Sequence, residues 1–324
     1  MSVIGPGLAP WPELADHIWP TLLLGNGSSI NVWSKFSYDS LYEEATLNTE
    51  AETLFDGLKT TNFETVLEAM GHAEMVLKAM GIDASDVHRL YHDVQSRLFE
   101  TVRSVHVPWV RIDQDVLRGI ESALHDYDKV FTTNYDLIPY WSIMSVPQQR
   151  FVDFFWGPDK TFDIKNTGRS RPAIYYLHGG LHLWQNAQSE STGKWVNDGS
   201  DLLALGTMFS QRRNRRPLFV SEGTSPGKQR AIRRSDYLTF ATEALADDNL
   251  DTVVFGHSLG ASDAHILEAL RVGTKKRIAV GLLPAPQKRL LRRKGELVDA
   301  LDRHKVQFFD ATTHPLGSSA LRVL

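Results

Sequence analysis

Lys129-Val130-Phe131-Thr132-Thr133-Asn134-Tyr135-Asp136 is the stretch that decides the fold class. A short apolar run stops in a string of polar side chains. Several polar groups in a row at the end of a buried strand are costly unless something hydrogen-bonds to them. About forty residues later a second apolar run, Ile174-Tyr175-Tyr176-Leu177, ends in His178-Gly179. Upstream a third, Leu22-Leu23-Leu24, ends in Gly25-Asn26-Gly27-Ser28-Ser29. An Asn/Asp pair and a His, each delivered at the C-terminal tip of a strand, is how an open α/β sheet builds a ligand site. With the glycine-rich tip added, the three predict a nucleotide held beside a catalytic pair.

Working outward, the runs Thr21–Leu24, Lys129–Phe131, Ile174–Leu177, Pro217–Val220, Thr252–Phe255, Arg277–Leu283 and Val306–Phe309 read as strands. Most are continuously apolar rather than alternating, which predicts central strands of a parallel sheet covered on both faces. Helices are expected between them at Tyr237–Leu245, Asp263–Val272 and Leu290–Leu301. Residues 182–195 suit a hairpin around Gln188–Gly193. From Leu41 to His125 the period is helical: Phe63, Val66, Leu67, Met70 and Ala73, then Leu90, Val94, Leu98 and Val102, recur at i, i+3, i+4 spacing. Pro108 interrupts, and Val116, Ile120 and Leu124 resume the pattern. The expected architecture is α/β, a Rossmann-like parallel sheet with helices on both faces. Residues 1–38 and 126–324 form the discontinuous core, and 39–125 an α-helical insertion after the first βα unit.

The 324 residues carry a net charge of −4, so no global basic field argues for nucleic acid or an anionic membrane. No apolar run reaches the length of a membrane span, and the first residues lack the pattern of a signal peptide, so a cytoplasmic location is expected. The absence of cysteine excludes disulfides, thiol nucleophiles and cysteine-ligated metal. His88 and His92 lack the intervening Glu of a zinc protease motif and read as surface residues, so no metal is expected.

Each motif has a plainer rival. Gly25-Asn26-Gly27-Ser28-Ser29-Ile30 has two of the three glycines of a dinucleotide fingerprint, with Ile30 in place of the third, and no acid sits on a second strand about twenty residues on. An ordinary dehydrogenase is therefore not expected, and a tight strand–helix turn is the rival reading. Asn134 or Asp136 could cap a helix, and His178 could be an imidazole satisfied in a turn, although Gly179-Gly180 would leave its ring open to approach. Gly256-His257-Ser258-Leu259-Gly260 matches the G-x-S-x-G nucleophile elbow of a serine hydrolase. The loop after Arg277–Leu283 supplies no carboxylate, however, and Asp310 and His314 crowd into a single last loop. The preferred reading gives Gly256 and Ser258 to a ribose or adenine and lets Asp263 start a helix. Glu222 and Lys228 are open to lining the site, with a solvated loop as the preferred reading. The basic clusters Arg212–Arg216 and Lys288–Lys294 are read as solvated faces in preference to a surface for nucleic acid or a partner.

With these four strand ends in place, the chain resembles the sirtuin-like superfamily, in particular bacterial members without a zinc module. The matches run in family order: Gly25-Asn26-Gly27-Ser28-Ser29, Thr133-Asn134-Tyr135-Asp136, Leu177-His178-Gly179 and Gly256-His257-Ser258-Leu259. They cover residues 20–35 and 125–315 and leave out the helical segment. The resemblance implies an NAD site. Asn134 would position the nicotinamide ribose and a water, with Asp136 at the same end. His178 would be the general base or the partner of a ribose hydroxyl, and backbone N–H groups around Gly27 and Ser28 would hold the pyrophosphate. It departs from the deacylases of that family in having no cysteine and in reading Asn31-Val32-Trp33-Ser34-Lys35-Phe36 after the first loop. The implied activity is therefore that of the defence-associated members, which hydrolyse NAD to nicotinamide and ADP-ribose in response to phage. A homo-oligomer and a triggering partner are expected on the same ground, with the helical insertion open to either role. A serine esterase using Ser258 and a non-catalytic sensor of NAD or ADP-ribose are the alternatives.

Overall fold

The computed structural model describes residues 7–146, 150–166, 172–196, 202–204, 214–221 and 223–323. Ten strands are described: β1 (Ala9–Pro10), β2 (Thr21–Leu24), β3 (Lys129–Thr132), β4 (Ala173–Tyr176), β5 (Gly179–Asn186), β6 (Thr192–Lys194), β7 (Arg215–Phe219), β8 (Thr252–Phe255), β9 (Arg277–Leu282) and β10 (Lys305–Asp310). Seven of them form one parallel sheet flanked by helices, in the order β1-β10-β9-β8-β2-β3-β4. Every residue of β2, β4 and β8 is buried. That is why these strands are apolar without alternation.

The order has a direct consequence. Leaving aside β1 at the edge, the chain builds β2, β3 and β4 outward in one direction and then returns to place β8, β9 and β10 on the other side of β2. This is the doubly wound order of dinucleotide-binding folds, and the reversal between β2 and β8 is the topological switch point where such sheets open a crevice. The register is level: Leu24 pairs with both Thr132 and Phe255, and Thr132 with Tyr176. All four loops singled out in the sequence therefore leave the same edge of the sheet at the same height.

Pro217–Val220 is a correction. That run falls in β7, which pairs antiparallel with β5 in a separate three-stranded sheet ordered β6-β5-β7. A short apolar run reports burial but not its partner, and β5 was the nearer one. The hairpin expected over residues 182–195 is present as β5 and β6. Asp263 stands at the N-cap position of the helix expected there. A short 3-10 turn, Ala261–Asp263, precedes the helix Ala264–Arg271, and the Asp263 carboxylate makes no capping bond. The two-residue β1 is too short to carry any period and was not anticipated.

The segment after the first βα unit is helical as expected: Tyr38–Glu44, Thr49–Leu58, Phe63–Ala79, Ser85–Val105 and Gln114–His125. Its apolar stripes do not close on themselves. Leu41, Phe55, Phe63, Leu98 and Val102 belong to the same hydrophobic core as the sheet. These helices cover the C-terminal edge of the sheet and become one wall of the cleft. No helix among the described residues is long and apolar enough to cross a membrane.

Candidate active site

At the switch point, the backbones after β2 and β8 lie in contact. Gly25 N donates to Phe255 O at 2.9 Å and Gly27 N to Gly256 O at 2.8 Å. A Cβ on Gly25 would stand 2.5 Å from the His257 Cα, and one on Gly27 2.8 Å from the Gly256 Cα. Gly256 itself has a left-handed φ of 69°. The glycines are thus required by loop-on-loop packing, and that packing builds the floor of the cleft.

Over this floor lies a cavity of about 310 Å³. It brings together nine of the residues expected at the site: Asn26, Gly27, Thr133, Asn134, Asp136, His178, Gly256, Ser258 and Asp263 all line it. Gly25, Ser28 and Ser29 do not. Gly25 is used in packing, and the two serines stand one layer behind, orienting Asn134. Ser28 Oγ donates its only proton to Gly25 O at 2.9 Å, and Ser29 Oγ donates its proton to Asp136 Oδ2 at 2.6 Å. Toward Asn134 both hydroxyls can therefore only accept, and they do, from Nδ2 at 3.0 and 2.8 Å. This fixes the amide flip and leaves Asn134 Oδ1 buried, with no hydrogen-bond partner among the described residues. A buried acceptor without a partner costs about 1–3 kcal/mol, a cost that a bound donor would remove. Asp136, its other oxygen held by the Ile138 N–H at 2.8 Å, is pushed up by burial to about 6.

His178 reaches the cavity from the end of β4. Its carbonyl accepts from Val220 N at 2.9 Å, tying it to the second sheet. Gly179 does not serve access to the ring, as the sequence suggested. Its φ is 78°, and a Cβ there would meet the Leu218 carbonyl at 2.1 Å. His178 Nε2 lies 2.9 Å from His265 Nε2, so one proton is shared between two rings. Burial, and secondly the Lys228 ammonium, hold His178 well below the usual imidazole range. His265 is lowered to about 4, again chiefly by burial. Both rings are neutral at neutral pH and able to accept a proton.

Behind the histidines lies a buried charge cluster that the sequence did not reveal. Lys228, read as part of a solvated loop, is 0% exposed. Its ammonium is 2.7 Å from Asp263 Oδ1 and 3.2 Å from Glu64 Oε2. Asp263 also faces His178 Nε2 at 3.9 Å and His257 Nε2 at 3.6 Å. Burial works against ionisation of Asp263, but the groups facing it, His178, Lys228 and His257, hold it below the usual carboxylate range. Because the imidazoles are neutral, the ammonium carries most of that effect. Glu64, by contrast, is raised by burial. Lys228 had a local signal: Thr224-Ser225-Pro226 is a helix start, and Thr224 Oγ1 does accept from Gly227 N. Glu222 lies outside the described residues, as do Arg212 and Arg213.

His178, Asp263 and His265 offer ligand atoms within 4.8 Å of one another, a spacing that suits a divalent metal. Lys228 already puts a cation on the Asp263 oxygen that faces His178, so the cluster is charge-balanced by an ammonium. Other wall residues come from the helical segment, among them Tyr38, Glu64, Leu98 and Val102. Nothing in their periodicity separated this role from ordinary packing.

Ser258 is exposed, and its carbonyl accepts from the Arg293 guanidinium. The left-handed residues of its loop are Gly256 and Leu259, the latter with φ 47°, not the serine. His257 Nδ1 accepts from Leu259 N at 2.9 Å, and His314 is bonded to Tyr127 Oη at 3.0 Å. Among the described residues no histidine bonds to the Ser258 hydroxyl, which leaves a nucleophilic serine there without a base.

No curated protein matches the chain. The model of a family described as a domain of unknown function (DUF4917) matches residues 22–316, a span that runs from the second residue of β2 through β10 and takes in the helical segment and all four loops. That description names no activity and draws no tie to the sirtuin-like superfamily. Since the match covers most of its length, the chain belongs to the DUF4917 family.

Proposed function

We propose that this protein cleaves the nicotinamide–ribose bond of NAD, releasing nicotinamide and ADP-ribose. The observation that carries the reading is the buried, partnerless Asn134 Oδ1, beside a neutral His178 in a cleft at the switch point of a doubly wound sheet. Gly27 and Gly256, with no side chains, leave room for a pyrophosphate over the floor. The nicotinamide ribose would then lie toward Asn134 and Asp136.

In the reaction the C1′–N bond breaks and its electron pair leaves with nicotinamide, which departs neutral from a cationic pyridinium. A water oxygen bonds to C1′. Asn134 Oδ1 accepts from that water and orients it, and its proton passes to the His178–His265 pair. The ionised Asp136 carboxylate offsets positive charge developing on the sugar. Because the leaving group is good, orientation and electrostatics supply most of the effect, and the base adds about 10²–10⁴ in rate. The resemblance to defence-associated proteins extends the proposal to depletion of cytoplasmic NAD during phage infection.

The test is to incubate the purified protein with NAD and follow nicotinamide by chromatography. Release is expected, and Asn134→Ala and His178→Ala should each lose at least a hundredfold while keeping the parent circular dichroism. A His178→Ala protein that consumes NAD at the parent rate would refute the assignment. NAD bound with no nicotinamide released would favour a sensor, and fluorophosphonate labelling at Ser258 an esterase.

A further inference from the structure

Past Gly256 the cleft continues into a second cavity of about 720 Å³. The floor is common to both: Gly27, Gly256, His257 and Ser258 line each of them. Beyond it the walls come from the ends of β9 and β10 and from the start of the helix Gln287–Ala300. Four arginines, Arg289, Arg292, Arg293 and Arg322, line this cavity, with no Asp or Glu among its lining residues.

The placement of Arg289 runs against helix electrostatics. It lies in the first turn of a 14-residue helix, where aligned peptide dipoles present positive charge, and Arg292 and Arg293 follow in the second turn. Its first turn holds no acid and no side-chain cap. Cations there repel the helix end, and an anion seated among them turns each repulsion into an attraction. Glu296, 3.0 Å from Arg293 and 3.7 Å from Arg292, answers two of the charges from the solvent side. Among the described residues no carboxylate pairs with Arg289 or Arg322. The basic run read from the sequence as a solvated face is exposed at Lys288, Arg289 and Arg292, and three of its arginines also line the cavity.

We infer that this cavity is a subsite for a phosphate monoester on the adenine ribose, so that the preferred substrate is the 2′-phosphorylated dinucleotide, NADP, over NAD. The inference rests on the reading of the first cavity as a nicotinamide dinucleotide site. A dinucleotide with its pyrophosphate over Gly27 and Gly256 sends its nicotinamide half toward Asn134 and its adenosine half toward the arginines. Guanidinium groups bind phosphate oxygens in bidentate pairs, and an arginine near the adenine ribose is how dinucleotide folds accept a 2′-phosphate.

Two measurements test it. Calorimetric titration, which needs no turnover, should find ADP-ribose 2′-phosphate bound at least tenfold more tightly than ADP-ribose, the size of one charge-assisted contact. The ratio of kcat/KM for NADP over NAD should exceed ten and fall at least tenfold in Arg289→Gln/Arg322→Gln. Equal affinity for the two ADP-riboses, or an unchanged ratio in the variant, overturns the subsite. Inorganic phosphate binding as tightly as the nucleotide also overturns it, as a free-anion site. If neither dinucleotide is cleaved yet the 2′-phosphate still tightens binding through these arginines, the subsite stands and the glycohydrolase reading falls. If both dinucleotides are cleaved equally, the reverse holds.

Discussion

At Asn134 the directions of two hydroxyl protons decide what the amide shows to the cleft. Ser29 gives its proton to Asp136 and so can only accept from Asn134. Asp136→Asn tests this relay with almost no change of shape. The backbone bond from Ile138 N claims the carbonyl oxygen of the new amide, so its N–H₂ faces Ser29. Ser29 must then accept from that side, its own proton is set free to turn toward Asn134, and Ser28 alone still fixes the amide flip. Replacing a buried carboxylate already raised to about 6 removes its desolvation along with its bond, so stability should move by less than about 2 kcal/mol. The rate of nicotinamide release should drop tenfold or more at pH 7.5, read by steady-state assay beside a denaturant titration. Parent activity in a folded Asp136→Asn protein would detach the relay from catalysis.

Where two loops make the floor, sterics rather than chemistry choose the residue. Gly25 has an extended φ of −119°, so alanine meets no backbone strain there, only the His257 Cα at 2.5 Å and the Gly256 carbonyl at 2.7 Å. Neither is the yielding tip of a side chain. Gly25→Ala should cost about 2–3 kcal/mol or more and abolish release by prying the loops apart. Gly57, in the helix Thr49–Leu58 with nothing within 4 Å of its Cβ position, is the control, and alanine there should add about 0.5–1 kcal/mol. Thermal melts of the two variants should move in opposite directions. The sheet that this packing joins was largely legible, because strands buried on both faces are apolar without a break and Thr21–Leu24 and Thr252–Phe255 have the bounds expected. The pairing of Pro217–Val220 was not legible, since hydrophobicity carries no partner information. The loop residues Asn134, Asp136 and His178 stood out because polar groups at buried strand ends are anomalous. Lys228 did not, because its burial depends on Glu64 and Asp263, each distant in sequence and neither a neighbour by any period.

Across the whole molecule the helical segment, the loop helix of Lys228 and the edge of the sheet meet at one buried cluster, and the titration of the fold follows from its histidines. His178, His257 and His265 are all lowered, by burial first. His182 and His314 are lowered elsewhere in the core for the same reason. An imidazole whose folded pKa lies below its unfolded value near 6.5 takes up a proton on unfolding, so its contribution to stability is full above that pH and is lost as pH falls through the folded value. For His265, lowered to about 4, that is on the order of 3 kcal/mol between neutral pH and pH 4. Asp136 acts in the other sense. Raised to about 6, it binds a proton in the folded state first, and it adds a comparable amount as pH drops from above 6 to below 4. Two raised carboxyls, Asp136 and Glu64, against six lowered imidazoles, His304 being the sixth, leave the histidines in control, while Lys228 keeps Asp263 ionised and outside the balance across this range. Urea titrations between pH 4 and 7.5 should therefore give an unfolding free energy that rises with pH, steepest between about pH 4 and 6.5. His265→Gln should flatten that rise by about 3 kcal/mol, and Asp136→Asn should steepen it. A parent protein whose stability is level, or falls, from pH 4 to 7 would mean these rings are charged or solvated in the folded state, and the neutral acceptor pair at His178 would go with them.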